Sequence, residues 1–398
     1  MSGTEFRKLR LGVAGLGRAF TLMLPTFQQD ARIKLVAAAD PRREACAHFA
    51  AEFGAPAYPT VEALCADPQV EVVYIATPHQ LHGGHACAAA HAGKHLLVEK
   101  PMAITLGECE AMIRAARENG VYLVVGHSHS FDAPCRRARE LIASGKFGRL
   151  GAITALNFTD FMYRPRRPEE LVTAQGGGVV FSQGAHQIDV IRLLGGGHLK
   201  SVRAATGRWD PSRASEGAYA ALLTFANGAF ATATYSGYGH FDSDEFCGWI
   251  SEAGLPKDRA RYAAARKALQ NVAAAEEADL KAAHNYGGSS YLPTAASGPR
   301  LHQHFGLMLA SCAHADLRIL PQGVMICGDF AQELERVPVQ PVPRAGVMDE
   351  LYEAVVHGRQ PLHSGEWAAA TLEVCLAILR SAQEQLEIVL ERQLEARM

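Results

Sequence analysis

Several features typical of other protein classes are missing from this 398-residue sequence. Its nine cysteines are dispersed with no Cys-x-x-Cys pair, which argues against a disulfide framework or a thiolate zinc site. No apolar run approaches the length of a membrane span, and the N-terminal stretch MSGTEFRKLRLGVAGLG has no signal-peptide core. The formal net charge of -2 provides no basic field for nucleic acid or an anionic membrane. We therefore expect a cytoplasmic protein that binds neither.

The first informative motif of the sequence is a glycine turn between an apolar strand and a helical segment. The strand from Leu9 to Ala14 runs into Gly15-Leu16-Gly17, and the helical pattern continues to about Gln29. The first glycine permits a tight turn, and the second lets the backbone approach a pyrophosphate at the helix N-terminus. The third glycine of the usual fingerprint is replaced by Phe20, which weakens the motif.

A second apolar strand ends in Asp40, twenty residues beyond the glycine motif. An acidic residue there can accept hydrogen bonds from the adenosine ribose, which favours NAD. It can equally act as a helix cap before Pro41. Because Arg42 and Arg43 follow at once and could bind a 2′-phosphate, NADP stays open.

Short apolar strands and helical segments alternate through the first third, which predicts a doubly wound parallel sheet. One strand ends in Glu99-Lys100-Pro101. Ligands bind outside the carboxyl ends of such strands, so Lys100 is a candidate proton-handling group.

Another strand of the first third ends at Thr77-Pro78 and is followed by three histidines. Side chains spaced by three residues do not all lie on one face of a helix, and no acidic residue is adjacent to them. This favours roles at the cofactor edge or as helix caps over a metal site. These histidines are His79, His82 and His85.

Two polar groupings stand in the middle of the chain. The first contains Arg164, Arg166 and Arg167, with prolines at 165 and 168, and is either a solvated loop or an anion-binding loop. The second lies on a helix predicted from Val179 to Leu194, where Ser182, His186 and Asp189 share one face. A histidine there can exchange a proton with a substrate hydroxyl, although helix histidines are more often structural.

In this order the motifs resemble the Gfo/Idh/MocA oxidoreductase family. They are the N-terminal Gly-x-Gly, Thr77-Pro78 with His82, Glu99-Lys100-Pro101, and the run from Gly176 to Asp189. The resemblance implies a Rossmann domain over residues 1–128 and a substrate-binding and oligomerisation domain over 129–398 with a large, mainly antiparallel sheet. It also implies that Lys100 lies beside the nicotinamide, that the Lys100–Pro101 peptide bond is cis, and that His186 assists proton transfer. The family often has Asp at the position of Ser182, so the acid/base role falls on Lys100 and His186.

The resemblance also gives the expected site residues. Cofactor contacts are expected from Gly15, Gly17, Arg18, Ala19, Asp40, Thr77, Pro78, His79, His82, Glu99 and Lys100. Substrate contacts are expected from His127, His129, Arg164, Arg166, Ser182, His186 and Asp189. No metal is expected. Burial beside a nicotinamide would lower the pKa of Lys100 toward that of a useful base.

The segments 126–131, 163–166 and 363–367 are similar to those of bacterial dehydrogenases that oxidise 4,5-dihydro-4,5-dihydroxyphthalate in aromatic-compound degradation. This implies oxidation of a dicarboxylate cis-dihydrodiol to a catechol, with Arg164, Arg166 or Arg167 holding the carboxylates. The alternatives are a sugar, inositol or sugar-acid dehydrogenase of the same family and a non-catalytic NAD-binding regulator.

The sequence patterns of the last third predict the remaining elements of the second domain. Two alternating stretches around Asn227-Gly228 indicate a hairpin. Residues 255–300 are interpreted as an insertion, with an exposed helix or helical pair from Leu255 to His284 and a mobile loop from Tyr286 to Arg300. Its role as a lid, an oligomer contact or a peripheral addition stays open. Helices are predicted over 347–356 and 366–390. An uncovered sheet face is a liability, so we expect a homo-oligomer, a dimer or tetramer, through the C-terminal sheet.

Overall fold

The structure is a computed structural model of the chain, and it describes residues 7–126, 129–292 and 300–396. The chain divides into two compact units. The first comprises Met1–Gly126, Ala278–Ala295 and Gln340–Ala369, and the second comprises His127–Glu277, Ala296–Val339 and Ala370–Met398. The sequence-based boundary after residue 128 assigns every later segment to one domain, whereas two later segments group with the N-terminal unit.

A parallel sheet of six strands forms the first unit. Its strands are β1 (Leu9–Ala14), β2 (Ile33–Ala39), β3 (Ala57–Tyr58), β4 (Val72–Ile75), β5 (His95–Glu99) and β6 (Leu123–Gly126). Its helices are α1 (Arg18–Gln29), α2 (Arg43–Phe53), α3 (Val61–Ala66), α4 (His82–His91) and α5 (Leu106–Glu118). The strand order β3-β2-β1-β4-β5-β6 is the doubly wound arrangement that the sequence predicted.

Local sequence accounts for these elements. The strand β4 is wholly buried and apolar, as expected for a central parallel strand that is covered on both faces. The helix α5 begins at a capping box, in which Glu108 N–H donates to Thr105 Oγ1 and the Glu108 carboxylate accepts from Thr105 N–H. The predicted helix from His79 begins instead as a 3₁₀ turn over His79–Leu81.

The second unit is organised on a sheet of nine strands. The chain continues through α6 (Ala133–Ala143), β7 (Leu150–Phe158), α7 (Ala185–Gly195), β8 (Leu199–Gly207), β9 (Ala218–Phe225), β10 (Phe230–Ser236), α8 (Ala264–Leu269) and α9 (Glu277–Ala283). It ends through β11 (Leu307–Cys312), β12 (Ala315–Leu320), β13 (Gly323–Gly328), β14 (Gln332–Arg336), α10 (Ala345–His357), α11 (Gly365–Glu384) and β15 (Ile388–Val389). The order is β14-β13-β12-β11-β7-β10-β9-β8-β15, with β7 and β10 parallel and the other neighbours antiparallel.

The predicted fold class is confirmed: a parallel Rossmann sheet is combined with a mainly antiparallel one. The predicted hairpin at Asn227-Gly228 joins β9 to β10, and Gly228 adopts a φ of 83° in its turn. Another tight hairpin joins β12 to β13.

Three helix predictions differ from the structure in extent or in helix type. Of the helix or helical pair predicted over 255–284, the structure has a pair of short helices, α8 and α9, which cover only part of the stretch. The predicted helix over 366–390 ends at Glu384, because Gln385 adopts a φ of 58° and Ile388 then pairs with β8. The predicted helix from Val179 starts as a π-helix over Val180–Gly184, so the spacing of its side chains differs from that of an α-helix.

Large apolar side chains remain on the outer face of the nine-stranded sheet. Leu222 on β9 is 46% exposed and Phe230 on β10 is 47% exposed. Assembly through this face stays a prediction. In the described ranges, no helix combines the length and the apolarity that a membrane crossing requires.

Candidate functional site

The glycine turn of the first unit has the geometry of a pyrophosphate cradle. Gly15 adopts a φ of 94°, and a Cβ there would lie 2.7 Å from the carbonyl oxygen of Ala76 at the end of β4. Gly17 caps α1, and no atom lies within 4 Å of the position a Cβ would take. The backbone at the N-terminus of α1, which starts with Arg18 and Ala19, is therefore open to an anion. These residues fit NAD.

Asp40 lies at the end of β2 beside this turn, and its carboxylate is hydrogen bonded on both oxygens. Oδ2 accepts from the backbone N–H of Leu16 at 2.8 Å. Oδ1 accepts from the backbone N–H and Nε of Arg42, each at 2.9 Å, and Oδ2 also accepts from Arg42 Nη2 at 3.1 Å. Arg42, which the sequence left open as a 2′-phosphate ligand, is thus paired with the acid.

His82 connects the turns that follow β4 and β5. Its Nε2 lies 2.8 Å from the carbonyl oxygen of Thr77, and its Nδ1 lies 2.9 Å from that of Pro101. His85 Nδ1 lies 3.0 Å from Thr77 Oγ1. Burial lowers the pKa of His82, which has no exposed surface. His82 therefore lies between the two turns, and its neutral ring donates a hydrogen bond to one of these two carbonyls, depending on its tautomer. No cluster of metal-ligating side chains occurs among the described residues.

Lys100 follows β5 directly, and its peptide bond to Pro101 is cis, as predicted. The preceding Glu99 accepts a hydrogen bond from Tyr74 Oη at 2.6 Å. Burial, and then the nearby Glu99 carboxylate, raise the pKa of Tyr74. Glu99 is therefore held toward β4, and Lys100 is the next side chain beyond the strand end. Thr77, Pro78 and His79 lie at the adjacent end of β4.

The second unit brings two histidines together. The rings of His129 and His186 lie 4.7 Å apart between centroids, with planes inclined by 77°. Phe305 lies against both, at 5.1 Å from His129 and 5.3 Å from His186. His129 Nδ1 lies 3.3 Å from Asp132 Oδ2. The predicted residues His129 and His186 thus form one cluster, with a carboxylate that can orient His129.

An arginine pair lies near this cluster in the same unit. Arg166 stacks over the ring of Phe161, 3.7 Å from the centroid, and donates to the Phe161 carbonyl. Desolvation lowers the pKa of Arg166 to about 10, so it remains a cation at neutral pH. No Asp or Glu of the described residues forms a salt bridge with its guanidinium. Arg164 lies 3.3 Å from Asp160. Arg167 pairs with Glu169 at 3.1 Å within its own loop.

Tyr235 links the arginines to the histidines. It is buried, its hydroxyl lies 2.7 Å from Thr159 Oγ1, and its ring stacks on Phe305 at 6.1 Å. Burial raises the pKa of Tyr235 first, while the charges of Arg164 and Arg166 lower it, so both guanidiniums act on this phenol. The cluster therefore combines two guanidiniums with buried aromatic rings and a pair of imidazoles.

The predicted residues Ser182 and Asp189 have different surroundings. Ser182 lies in the π-helical turn, a deformation that is frequent at functional sites. Asp189 is fully buried and accepts a hydrogen bond from Thr371 Oγ1 at 3.3 Å, and Thr371 also accepts from Arg192 Nη1 at 2.7 Å. This network favours a structural role for Asp189 over substrate contact. His127 lies outside the described residues.

Sequence reasoning missed several members of the cluster. Asp132 stands three residues after His129, and that spacing could have revealed it. Phe161, Tyr235 and Phe305 carry no local signal, because distant stretches of chain bring them together.

Comparison with known proteins places this geometry in a family. Residues 9–127 match the model described as "Oxidoreductase family, NAD-binding Rossmann fold", and residues 135–248 match the GFO/IDH/MocA C-terminal domain. The chain belongs to the Gfo/Idh/MocA oxidoreductase family. It is an NAD-dependent oxidoreductase, and the predicted cofactor and enzyme class are confirmed.

Individual relatives cover almost the whole chain. A 1-carboxy-3-chloro-3,4-dihydroxycyclohexa-1,5-diene dehydrogenase of Comamonas testosteroni is 48% identical over 95% of this chain and 96% of its own length. The crystal structure of a provisionally assigned dehydrogenase from Bordetella bronchiseptica RB50 is 40% identical, with a TM-score of 0.90 over 96% of this chain and 100% of that one. The WlbA dehydrogenase of Bordetella pertussis, solved with NADH and UDP-GlcNAcA, shares the fold at 21% identity, with a TM-score of 0.67 over 97% of this chain and 99% of that one.

Proposed function

We propose that this enzyme oxidises a carboxylated dihydroxycyclohexadiene to the corresponding catechol with NAD. The observation that carries the proposal is Arg166, whose guanidinium lies on the face of Phe161 and forms no salt bridge with an Asp or Glu among the described residues. Such a group favours an anionic ligand. The Comamonas testosteroni relative, whose name describes a carboxylated dihydroxycyclohexadiene, supports the same substrate class.

The aromatic wall suits the ring of this substrate. Tyr235 and Phe305 stack with nearly parallel planes, inclined by 19°, next to the histidine pair. Both rings are buried, so they form an apolar backing of the histidine pair that is compatible with the unsaturated part of the substrate ring. A polyol without a carboxylate would leave Arg166 without an anion.

The proton chemistry needs a base for the hydroxyl that becomes a carbonyl. We assign this role to Lys100 and His186, on the basis of the family resemblance and of their proposed contact with substrate. When bound, NAD accepts the hydride from the hydroxyl-bearing ring carbon. The ketone product then tautomerises to a catechol, and aromatisation makes the overall oxidation favourable. The net reaction releases one proton, which the base transfers toward solvent.

The number of carboxylates separates two versions of the substrate. A dicarboxylate, such as 4,5-dihydro-4,5-dihydroxyphthalate, would engage Arg164 as well as Arg166. Arg164 already lies 3.3 Å from Asp160, and the Glu252 and Asp160 carboxylates raise its pKa against the effect of desolvation. A single carboxylate on Arg166 therefore fits the charges better, and we favour a monocarboxylate.

Two other functions make distinct predictions. A sugar, inositol or sugar-acid dehydrogenase would turn over polyols, and of these only a sugar acid would use Arg166. A non-catalytic NAD-binding regulator would bind NADH and turn over nothing.

A substrate panel distinguishes these functions. NADH formation is measured with mono- and dicarboxylated cis-dihydrodiols, an uncarboxylated dihydrodiol, inositol, glucose and gluconate. We expect the highest kcat/KM for a carboxylated dihydrodiol. Faster oxidation of inositol or a sugar would replace the proposal with the sugar function, and NADH binding without any turnover would favour the regulator.

A further inference from the structure

The segment 284–292, which follows α9, packs against α1 and α2 of the first unit. Tyr286 is fully buried within it. Its ring lies 5.0 Å from that of Phe20 and 4.8 Å from that of His48. Its hydroxyl donates to Glu52 Oε2 at 2.5 Å. A stretch that the sequence predicted to be a mobile loop is therefore anchored to both helices of the dinucleotide-binding fold.

A close backbone contact fixes the path of this segment. Gly287 adopts a φ of 72°, and a Cβ there would lie 2.8 Å from Cα of Ala45 on α2. A side chain at this position would push the segment away from α2. The backbone after Tyr286 can thus reach the β2–α2 turn, where Asp40 and Arg42 lie.

The contact also gives a structural reason for the departure from the glycine fingerprint. Phe20 occupies the position of the third glycine, in the first turn of α1. Its ring packs edge-on against Tyr286, with planes inclined by 81°, and lies 6.3 Å from Phe49 of α2. An aromatic cluster replaces the small residue, and Tyr286 is part of that cluster.

The same segment contributes one of the hydrogen bonds that hold Arg42. Arg42 Nη1 donates to the carbonyl oxygen of Tyr286 at 3.4 Å, and Nη2 donates to that of Leu16 at 2.8 Å. With its Nε and Nη2 bonds to Asp40, most of the donors of Arg42 are engaged. Its charge is neutralised by Asp40, and its side chain is 30% exposed.

We propose that the segment 284–292 sets cofactor selectivity by retaining Arg42 on Asp40. A 2′-phosphate of NADP is recognised by a guanidinium that can turn toward it. While Tyr286 holds Arg42 in place, that guanidinium is committed to Asp40 and the glycine turn, so NAD is preferred. If the segment is displaced, Arg42 can leave Asp40 and pair with the phosphate. The inference concerns nucleotide binding alone and does not depend on the proposed substrate.

Equilibrium binding of NADH and NADPH to the full chain tests this inference, with nucleotide fluorescence as the readout and no turnover required. Tyr286→Ala removes the anchor, whereas Tyr286→Phe keeps the ring and the backbone carbonyl and serves as the matched control. We expect Tyr286→Ala to raise the NADPH affinity relative to that of NADH by about tenfold, the scale of one charge-assisted hydrogen bond. Tyr286→Phe should retain most of the wild-type ratio of NADPH affinity to NADH affinity.

Two further variants make the test decisive. Gly287→Ala displaces the same segment without truncating a buried ring. Its NADPH and NADH affinities are measured in place of those of Tyr286→Ala if that variant fails to fold. In an Arg42→Ala background, neither change should raise the relative NADPH affinity, because the guanidinium is gone. The inference is overturned if the folded segment variants keep the wild-type ratio, or if the gain persists without Arg42.

Discussion

The ring of His129 meets the ring of His186 edge to face at 4.7 Å, and Asp132 Oδ2 lies 3.3 Å from Nδ1 of His129. A carboxylate next to one imidazole nitrogen fixes the orientation of that ring. Asp132 can therefore affect the position of His186 through the ring of His129, without itself contacting substrate. The family resemblance implies an acid at position 182, where this chain has a serine, and Asp132 is a carboxylate that the second unit places beside His129.

Asp132→Asn should lower kcat while leaving the fold intact. The amide retains the shape of the side chain but loses the charge that orients His129, and we expect a decrease of about tenfold, below the full contribution of an acid/base group. Steady-state kinetics and a thermal melt provide the measurement. Asp329→Asn is the matched control, since Asp329 pairs with His314 at 3.2 Å on the surface. Equal kinetic effects from the two variants would refute a positioning role for Asp132.

Lys100→Ala should abolish most of the turnover and keep the binding of NADH. We assign Lys100 to proton transfer, and such groups contribute about 100- to 10,000-fold to rate. NADH fluorescence titration and turnover are measured on the same preparation. Substantial turnover by a variant that still binds NADH would remove Lys100 from the mechanism.

Arg166→Met should raise KM for carboxylated substrates. Loss of a charge-assisted contact weakens binding by about tenfold or more, while an uncarboxylated dihydrodiol should lose little. Arg167→Met is the control, because Arg167 pairs with Glu169 and Glu170 in its own loop. If both substrates are affected equally, the role of Arg166 is structural.

His82→Gln should change how stability depends on pH. Burial lowers the pKa of His82 in the folded state, so the unfolded chain takes up its proton first as the pH falls below about 6.5. The contribution of neutral His82 to stability is thus present above that pH and is lost below it, by up to about 1.4 kcal/mol per pH unit for one proton.

Denaturant unfolding between pH 7.5 and pH 5, values chosen to bracket the ordinary histidine pKa of about 6.5, gives the measurement. The His82→Gln variant should be less stable at the upper end and show a shallower decline. His85→Gln is the comparison, since burial also lowers the pKa of His85. A variant with the wild-type slope would show that His82 does not contribute to the acid sensitivity.

The parts of the site that are local in sequence could be predicted, and the parts made by distant contacts could not. Gly15, Gly17 and Asp40 are separated by one strand–helix unit, so their spacing carries the signal. The burial of Tyr286 against Phe20 depends on a contact across more than 260 residues of chain, and neither residue indicates it alone. The π-helical start before α7 is likewise invisible in an apolar pattern that suits an α-helix equally well.

The most direct test of the proposed function compares one carboxylated cis-dihydrodiol with its uncarboxylated counterpart, using NAD and following NADH at saturating cofactor. We predict that the wild-type enzyme has a kcat/KM at least about tenfold higher for the carboxylated diol, and that Arg166→Met removes most of this preference. Equal kcat/KM values for the two diols in the wild-type enzyme would contradict recognition of a carboxylate and, with it, the proposed substrate class.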